Sequence, residues 1–395
     1  MAPRSRLAHT WAMSMFSAVD AAPPGVPAAC RGRLVEVDRI EWRVGEAGDP
    51  AEAVAAFCDR YEGGHSGLSG SVCGVAVLVS AAAGAVMAGG AAGAPTPVPA
   101  VPDVAAVAYA HGPGAAGAVR GRFAVGAWRR SWTAADHAKA VAVVQEAIGR
   151  GEVYQACVVG HRQAPWSGDA AGAAAAVAGV DGARWGGVLA GEDWMVASGS
   201  PECFLAVDGE SVATSPIKGT APATAAGRDA LVASVKERAE HVMIVDLERN
   251  DLARVAVPGS VRVPELFGVR RWADLWQAES TVTARLAGGA GVAELLRAMC
   301  PPGSVTGTPK LAALDLIGAV EPVGRGPAMG AFGYRCAGRL RLGLTIRTVA
   351  FDADAVHVWA GGGITWRSDA AREVAEAEAK AAGVIGALGS LSGGA

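Results

Sequence analysis

The sequence predicts an α+β fold built on antiparallel sheets, and three observations carry that expectation. Strand-length apolar runs follow one another closely over 185–190, 194–197 and 203–207, and again over 330–334, 340–351 and 355–360. Such spacing suits strands joined by turns. Only a few helix-length segments interrupt these clusters, so the strict strand–helix alternation of a doubly wound sheet is missing. The glycine-rich run 301–310 lacks the Gly-Lys-Ser/Thr ending of a phosphate loop and follows no clear strand.

At 395 residues the chain exceeds one ordinary core, so two domains or one large sandwich is expected. A net charge of −3 excludes the basic footprint of a nucleic-acid binder. Seven cysteines (30, 58, 73, 157, 203, 300 and 336) lie far apart with no Cys-x-x-Cys pair. They point to buried or free thiols in a reducing compartment, hence to the cytoplasm, rather than to disulfides or zinc.

In chain order, Arg4 and Arg6 followed by 7–18 imitate a signal peptide, but His9, Thr10 and several serines break the apolar run. The 23 uncharged residues 72–94 are long enough to span a bilayer. Their five glycines and Val-rich start favour two buried strands joined by a small-residue turn, and no Arg-rich flank or aromatic belt supports a span. Residues 1–115 form a degenerate N-terminal region that contributes strands, and 116–395 carry the candidate chemistry. Thr133 as N-cap, with Ala140, Val143, Val144 and Ile148 at helical spacing, predicts a helix ending at Gly151. A strand over 152–159 follows. Further helices are expected over 227–247, from about 308 to 318, and over 369–388. No internal repeat is present.

Lys218, in Ser215-Pro-Ile-Lys-Gly-Thr220, is the first residue to carry chemistry. The chain has five lysines among 35 basic residues, the rest being arginine. A guanidinium cannot lose its proton to become a nucleophile, whereas an amine can. Pro216 and Gly219-Thr220 predict a fixed turn that presents the amine. Glu237, Glu240 and His241 share one helical face by i, i+3, i+4 spacing, and Glu373, Glu376 and Lys380 share another. Taken alone, each reads as a solvated acidic face, the first with Arg238 and Arg249 paired to its acids. Two carboxylate pairs on separate helices also suit Mg²⁺, which takes one or two protein carboxylates plus water and substrate oxygens. The triplet Gly361-Gly362-Gly363 before the last helix permits unusual backbone angles and close approach of a ligand. Arg347, on an expected strand, suits a bidentate carboxylate clamp.

These pieces resemble the chorismate-utilising enzymes, which include anthranilate, aminodeoxychorismate, isochorismate and salicylate synthases. The matching runs are Gly151-Glu-Val-Tyr-Gln155, Ser200-Pro-Glu202, Pro216-Ile-Lys-Gly-Thr220, 237–251, 301–310, Ile346-Arg-Thr348 and Gly361-Gly-Gly-Ile364, with Ser368-Asp369 and Lys380. They occur in family order over about 120–390. The resemblance implies two large antiparallel sheets packed as a sandwich with helices outside, an anthranilate synthase component I-like fold. It implies Mg²⁺ held by Glu240 and Glu376, with Glu237 and Glu373 beside them. Arg347 and the main chain at Gly362 and Gly363 would bind substrate carboxylate. Gln155, Gln277, Ser304 and Lys380 would line the pocket, and Glu202 would protonate the departing C4 hydroxyl of chorismate.

Two positions sort the family. Isochorismate and salicylate synthases carry a water-activating Lys where this chain has Gln155. The position of Lys218 is Ala in most branches and Lys in aminodeoxychorismate synthase, where that amine is thought to attack C2. The pair Gln155 plus Lys218 therefore implies amination at C4, as in aminodeoxychorismate synthase component I, for p-aminobenzoate and folate. Ammonia would come from a separate glutamine amidotransferase subunit. Anthranilate synthase component I and a non-catalytic chorismate-binding subunit are the alternatives. Three departures from the family pattern stand out. Gln277 replaces a His, which leaves lower turnover or a shifted ring as alternatives. Ala328 replaces an aromatic, and Ala375 replaces an acid of the last helix.

Overall fold

The computed structural model describes residues 34–62, 71–112, 122–272 and 275–389; the run that imitates a signal peptide lies outside them. Their strands form two sheets. The larger has ten strands, ordered Leu34–Trp42, Val104–His111, Val72–Val79, Ala331–Cys336, Arg339–Leu344, Cys203–Asp208, Ser211–Ser215, Leu275–Arg285 and Ile217–Pro222, with Arg262–Trp272 also paired to Leu275–Arg285. The second has eight, ordered Gly307–Thr308, Gln155–Gly168, Ala355–Ile364, Thr348–Phe351, Met195–Ser198 and Gly187–Ala190, with Phe123–Val125 and Arg129–Arg130 also paired to Gln155–Gly168. All these ladders are antiparallel.

Alternation along each strand makes the sandwich. Val196 and Ala350 join Val77, Leu205 and Leu342 of the larger sheet in the central cluster. Their neighbours Met195, Ala197, Val349 and Phe351 turn the other way, packing with Ala173 and Val177 of the helix Ala170–Ala178 and with Ala381 and Val384 of the helix Ala370–Gly389. Cys157 and Val159 likewise face inward, while Ala156 and Val158 pack against the helix Ala134–Gly149. That helix begins at the expected Thr133, which forms a reciprocal capping box with Asp136.

Four local expectations are corrected. Residues 72–94 give a strand, Val72–Val79, and then a helix, Ala81–Met87, in place of a second strand. Ser80 Oγ accepts from Ala83 N at 3.0 Å and starts that helix. The helix expected over 227–247 is two, Ala225–Ala233 and Val235–Ala253. Ser234 adopts extended angles and caps the second by accepting from Glu237 N, which resets the helix axis. The strand expected over 340–351 is divided between the sheets. Arg347 has φ +50° at the crossing, so it lies on a turn and not on a strand. The glycine triplet belongs to the strand Ala355–Ile364, paired with Val159, Val158 and Cys157, and none of the three has a left-handed φ. Among the described residues no helix is long and apolar enough to cross a membrane.

Candidate active site

Lys218 lies on the strand Ile217–Pro222, and not on the turn its flanking Pro and Gly suggest. The strand is bulged: its register with Leu275–Arg285 shifts between Ile217 and Thr220, and Gly219 takes φ +84°. A Cβ on Gly219 would stand 2.9 Å from Glu237 Oε2, so the bulge also lets the acidic helix approach. His241 Nδ1 lies 3.3 Å from Lys218 O. A carbonyl only accepts, so that nitrogen carries the hydrogen. Burial pushes His241 down to about 4, which keeps the ring neutral.

The Lys218 amine donates to Ser304 O at 3.2 Å, and Ser304 Oγ donates to Glu202 Oε1 at 2.8 Å. Glu202 is 5% exposed. Burial pushes it up to about 7, against the Ser304 hydrogen bond and the Lys218 charge, both of which favour the carboxylate. Ser304 sits on a short 3-10 turn, Gly303–Val305. A buried ion pair holds this turn in place. Arg325 donates to Glu321 at 2.9 and 2.6 Å, to Val305 O at 2.6 Å and to Cys157 O at 3.0 Å. Glu321 Oε1 also accepts from Val159 N at 2.8 Å. The Ser304 turn is thereby tied to the strand that begins at Gln155.

Gln155 is 1% exposed, and neither its oxygen nor its nitrogen has a hydrogen-bond partner. Its amide nitrogen lies 3.0 Å from where a Cβ on Gly363 would stand. Gln277 is also buried, with Oε1 unpartnered, opposite Thr220 in the ladder. Buried unsatisfied amides are costly, so each calls for a partner supplied by water or by a ligand.

The two acidic helices converge on the same region. Burial raises Glu240, with Glu237 and Glu373 adding like charge against the opposing pull of Lys236 and Lys218. Glu376 is raised by burial, but Lys380, Lys218 and Lys236 outweigh that and hold it low. Lys236 pairs with Glu240 at 3.7 Å, and Lys380 pairs with Glu376 at 2.7 Å while donating to Gly361 O at 3.0 Å. Glu373 is buried, with Oε2 3.2 Å from a Cβ built on Gly362. No three acids, histidines or cysteines among the described residues form a ready-made metal cage. Arg347 is partly buried, with burial working against its charge, and forms no ion pair among the described residues. Arg249 pairs with Asp246 at 2.7 Å, whereas Arg238 lies over the Phe267 ring.

Three residues escape a reading of the sequence: Arg325, Glu321 and Glu248. The signal for Glu248 was its place four residues from Ile244 and Leu252, an acid on the buried stripe of its helix.

The family model for chorismate binding enzymes matches residues 103–386. The chain belongs to the chorismate-binding enzyme family. Aminodeoxychorismate synthase component 1 of Salmonella typhimurium is 37% identical over 257 residues, covering 63% of this chain and 57% of that protein. An anthranilate synthase component 1 of Halobacterium salinarum is 39% identical over 265 residues, covering 64% and 50%. The chain thus spans about half the length of these curated relatives. The fold matches that of anthranilate synthase component I from Streptococcus pneumoniae with a TM-score of 0.77 at 21% identity, over 90% of this chain and 92% of that one. As a chorismate-binding enzyme, the protein shares its family with both kinds of synthase.

Proposed function

We propose that this chain is an aminodeoxychorismate synthase component I, converting chorismate and ammonia to 4-amino-4-deoxychorismate. The observation that carries the reading is that one residue, Ser304, joins the candidate nucleophile to the candidate acid, accepting from Lys218 at 3.2 Å and donating to Glu202 at 2.8 Å. Lys218, having passed its ammonium proton to solvent, attacks C2 through the nitrogen lone pair. Both ring double bonds shift, C1=C2 to C1=C6 and C5=C6 to C4=C5, and the C4 hydroxyl leaves as water with the proton of Glu202. Ammonia then bonds to C4, both double bonds shift back, and the Lys218 nitrogen leaves C2. The proton shed by the new ammonium group restores Glu202. An acid that titrates near neutrality suits this exchange. Gln155 cannot act as a base, which disfavours attack by water at C2.

Arg347, the main chain at Gly362 and Gly363, Ser304 and Lys380 would bind substrate carboxylates, with Gln155 and Gln277 lining the ring. Glu240 and Glu376, with Glu237 and Glu373 beside them, would hold Mg²⁺. The donor set fits an ion that uses one or two protein carboxylates and completes its shell with water and substrate. When bound, that ion supplies positive charge against a substrate carboxylate. The lysines paired with Glu240 and Glu376 mark both acids as sites for a cation.

The relatives' designation as component 1 supports a separate partner, which for this reaction is a glutamine amidotransferase subunit supplying ammonia. Among the described residues Cys58, Cys157, Cys203 and Cys300 are free and buried, which supports a reducing, cytoplasmic setting for p-aminobenzoate and folate synthesis. The 39% identity to an anthranilate synthase component 1 favours a second reading, in which ammonia enters at C2. Incubation with chorismate, Mg²⁺ and ammonium, followed by an aminodeoxychorismate lyase, separates them. p-Aminobenzoate is expected. Fluorescent anthranilate without lyase sinks the proposal, and substrate-dependent thermal stabilisation without turnover points to a non-catalytic chorismate binder.

A further inference from the structure

Glu248 takes no part in the chemistry above, yet it is only 2% exposed. The Gly303 amide hydrogen-bonds to its carboxyl, while Oε2 has no partner. A Cβ on Gly303 would come within 2.9 Å of Oε1, so glycine is what lets the turn close over the acid. The groups that face it are Asp251 on its own helix, Lys310 at the start of Lys310–Val320, Glu202 beyond the turn, and Cys300. Lys310 is already engaged, by Asp251 at 2.7 Å and by Met299 O at 3.0 Å. Burial, and then the charge of Asp251, push Glu248 up to about 8, so it carries a proton at neutral pH.

Adjacent residues of one turn therefore hold two buried carboxyls. Gly303 N donates to Glu248, and Ser304 Oγ donates to Glu202. We propose that Glu248 is a positioning residue that forms a coupled carboxyl pair with Glu202 through the Gly303–Ser304 dipeptide, so that the site holds two exchangeable protons and not one. The inference rests on Glu202 being the acid of the proposed reaction. Once Glu202 has given up its proton, its charge makes the second loss less favourable, and Glu248 stays neutral beneath the turn. With both ionised, two negative charges flank one dipeptide, and their mutual repulsion displaces the turn that aims Ser304 at Glu202. Interacting acids of this kind lose their protons in two macroscopic steps that belong to the pair.

The test compares pH profiles of chorismate consumption in the wild type and in Glu248→Gln, whose amide oxygen still accepts from Gly303 but cannot ionise. The wild-type alkaline limb is expected to steepen from about tenfold to about hundredfold per pH unit, whereas the variant falls about tenfold per unit throughout. Equal steepness in both overturns the proposal. A second measurement needs no turnover. Infrared titration of protonated carboxyls should show two successive losses in the wild type and, in Glu202→Gln, a single loss at lower pH because the neighbouring charge is gone. An unshifted midpoint for Glu248 in that variant also overturns the pairing. If no chorismate is consumed at all, the proposed function fails, and the infrared titration alone decides the pair.

Discussion

Lys218 holds its amine on a strand bulge beside Ser304, and its role has a direct chemical test. Lys218→Ala should lower formation of the C4-aminated product about 10³-fold or more, and Lys218→Arg should fail nearly as badly because charge persists while the nucleophile is gone. Wild-type rates in either variant, read by lyase-coupled formation of p-aminobenzoate, remove the covalent step. Glu202 makes a prediction of opposite sign for stability. Its folded value, about 7, lies above the ordinary 4.5, so the folded chain keeps the proton longer than the unfolded one. Stability is therefore lost as pH rises from about 4.5 to about 7, by on the order of 3 kcal/mol. Glu202→Gln should abolish turnover yet melt higher relative to wild type at pH 8 than at pH 4. A melting difference independent of pH contradicts the burial argument.

At the scale of elements, the glycine triplet separates packing from ligand contact. A Cβ on Gly361 would lie 2.0 Å from Val158 O, inside the ladder itself, whereas one on Gly363 would lie 3.0 Å from a side-chain atom of Gln155. Gly361→Ala should lower the melting temperature sharply. Gly363→Ala should melt near wild type and bind chorismate more weakly, as measured by calorimetric titration. The Glu321–Arg325 pair gives the matching prediction for the Ser304 turn. Glu321→Ala leaves a buried guanidinium uncompensated and should cost about 3–5 kcal/mol in denaturant unfolding. A loss below about 1 kcal/mol would mean that the turn is held elsewhere.

At the scale of the molecule, the sandwich brings the Lys218 strand of one sheet and the Gln155 and glycine strands of the other together at the Ser304 turn. Leu205 is fully buried in the cluster that joins the sheets, so Leu205→Ala should cost about 2–5 kcal/mol in urea unfolding. Treatment with EDTA should abolish turnover and weaken chorismate binding, with both restored by Mg²⁺. Full activity after chelation would remove the metal from the proposal.

Much of this was legible in the sequence because it depends on spacing along one element. Thr133 as a cap, acids at i and i+3 on two helices, and closely spaced strands are local patterns governed by helix and strand periodicity. The corrections fall where a single residue redirects the chain: Ser234 restarts a helix, Ser80 starts one inside an apolar run, and Arg347 takes a left-handed angle between the sheets. What only the tertiary structure decided is which groups share an environment. Ser304 is 86 residues from Lys218 and 102 from Glu202, and no local periodicity relates them. Burial is likewise a property of the packed molecule. It makes Glu202 and Glu248 weak acids and His241 a neutral ring, because water that would stabilise their charges is excluded only once the surrounding elements have packed around them.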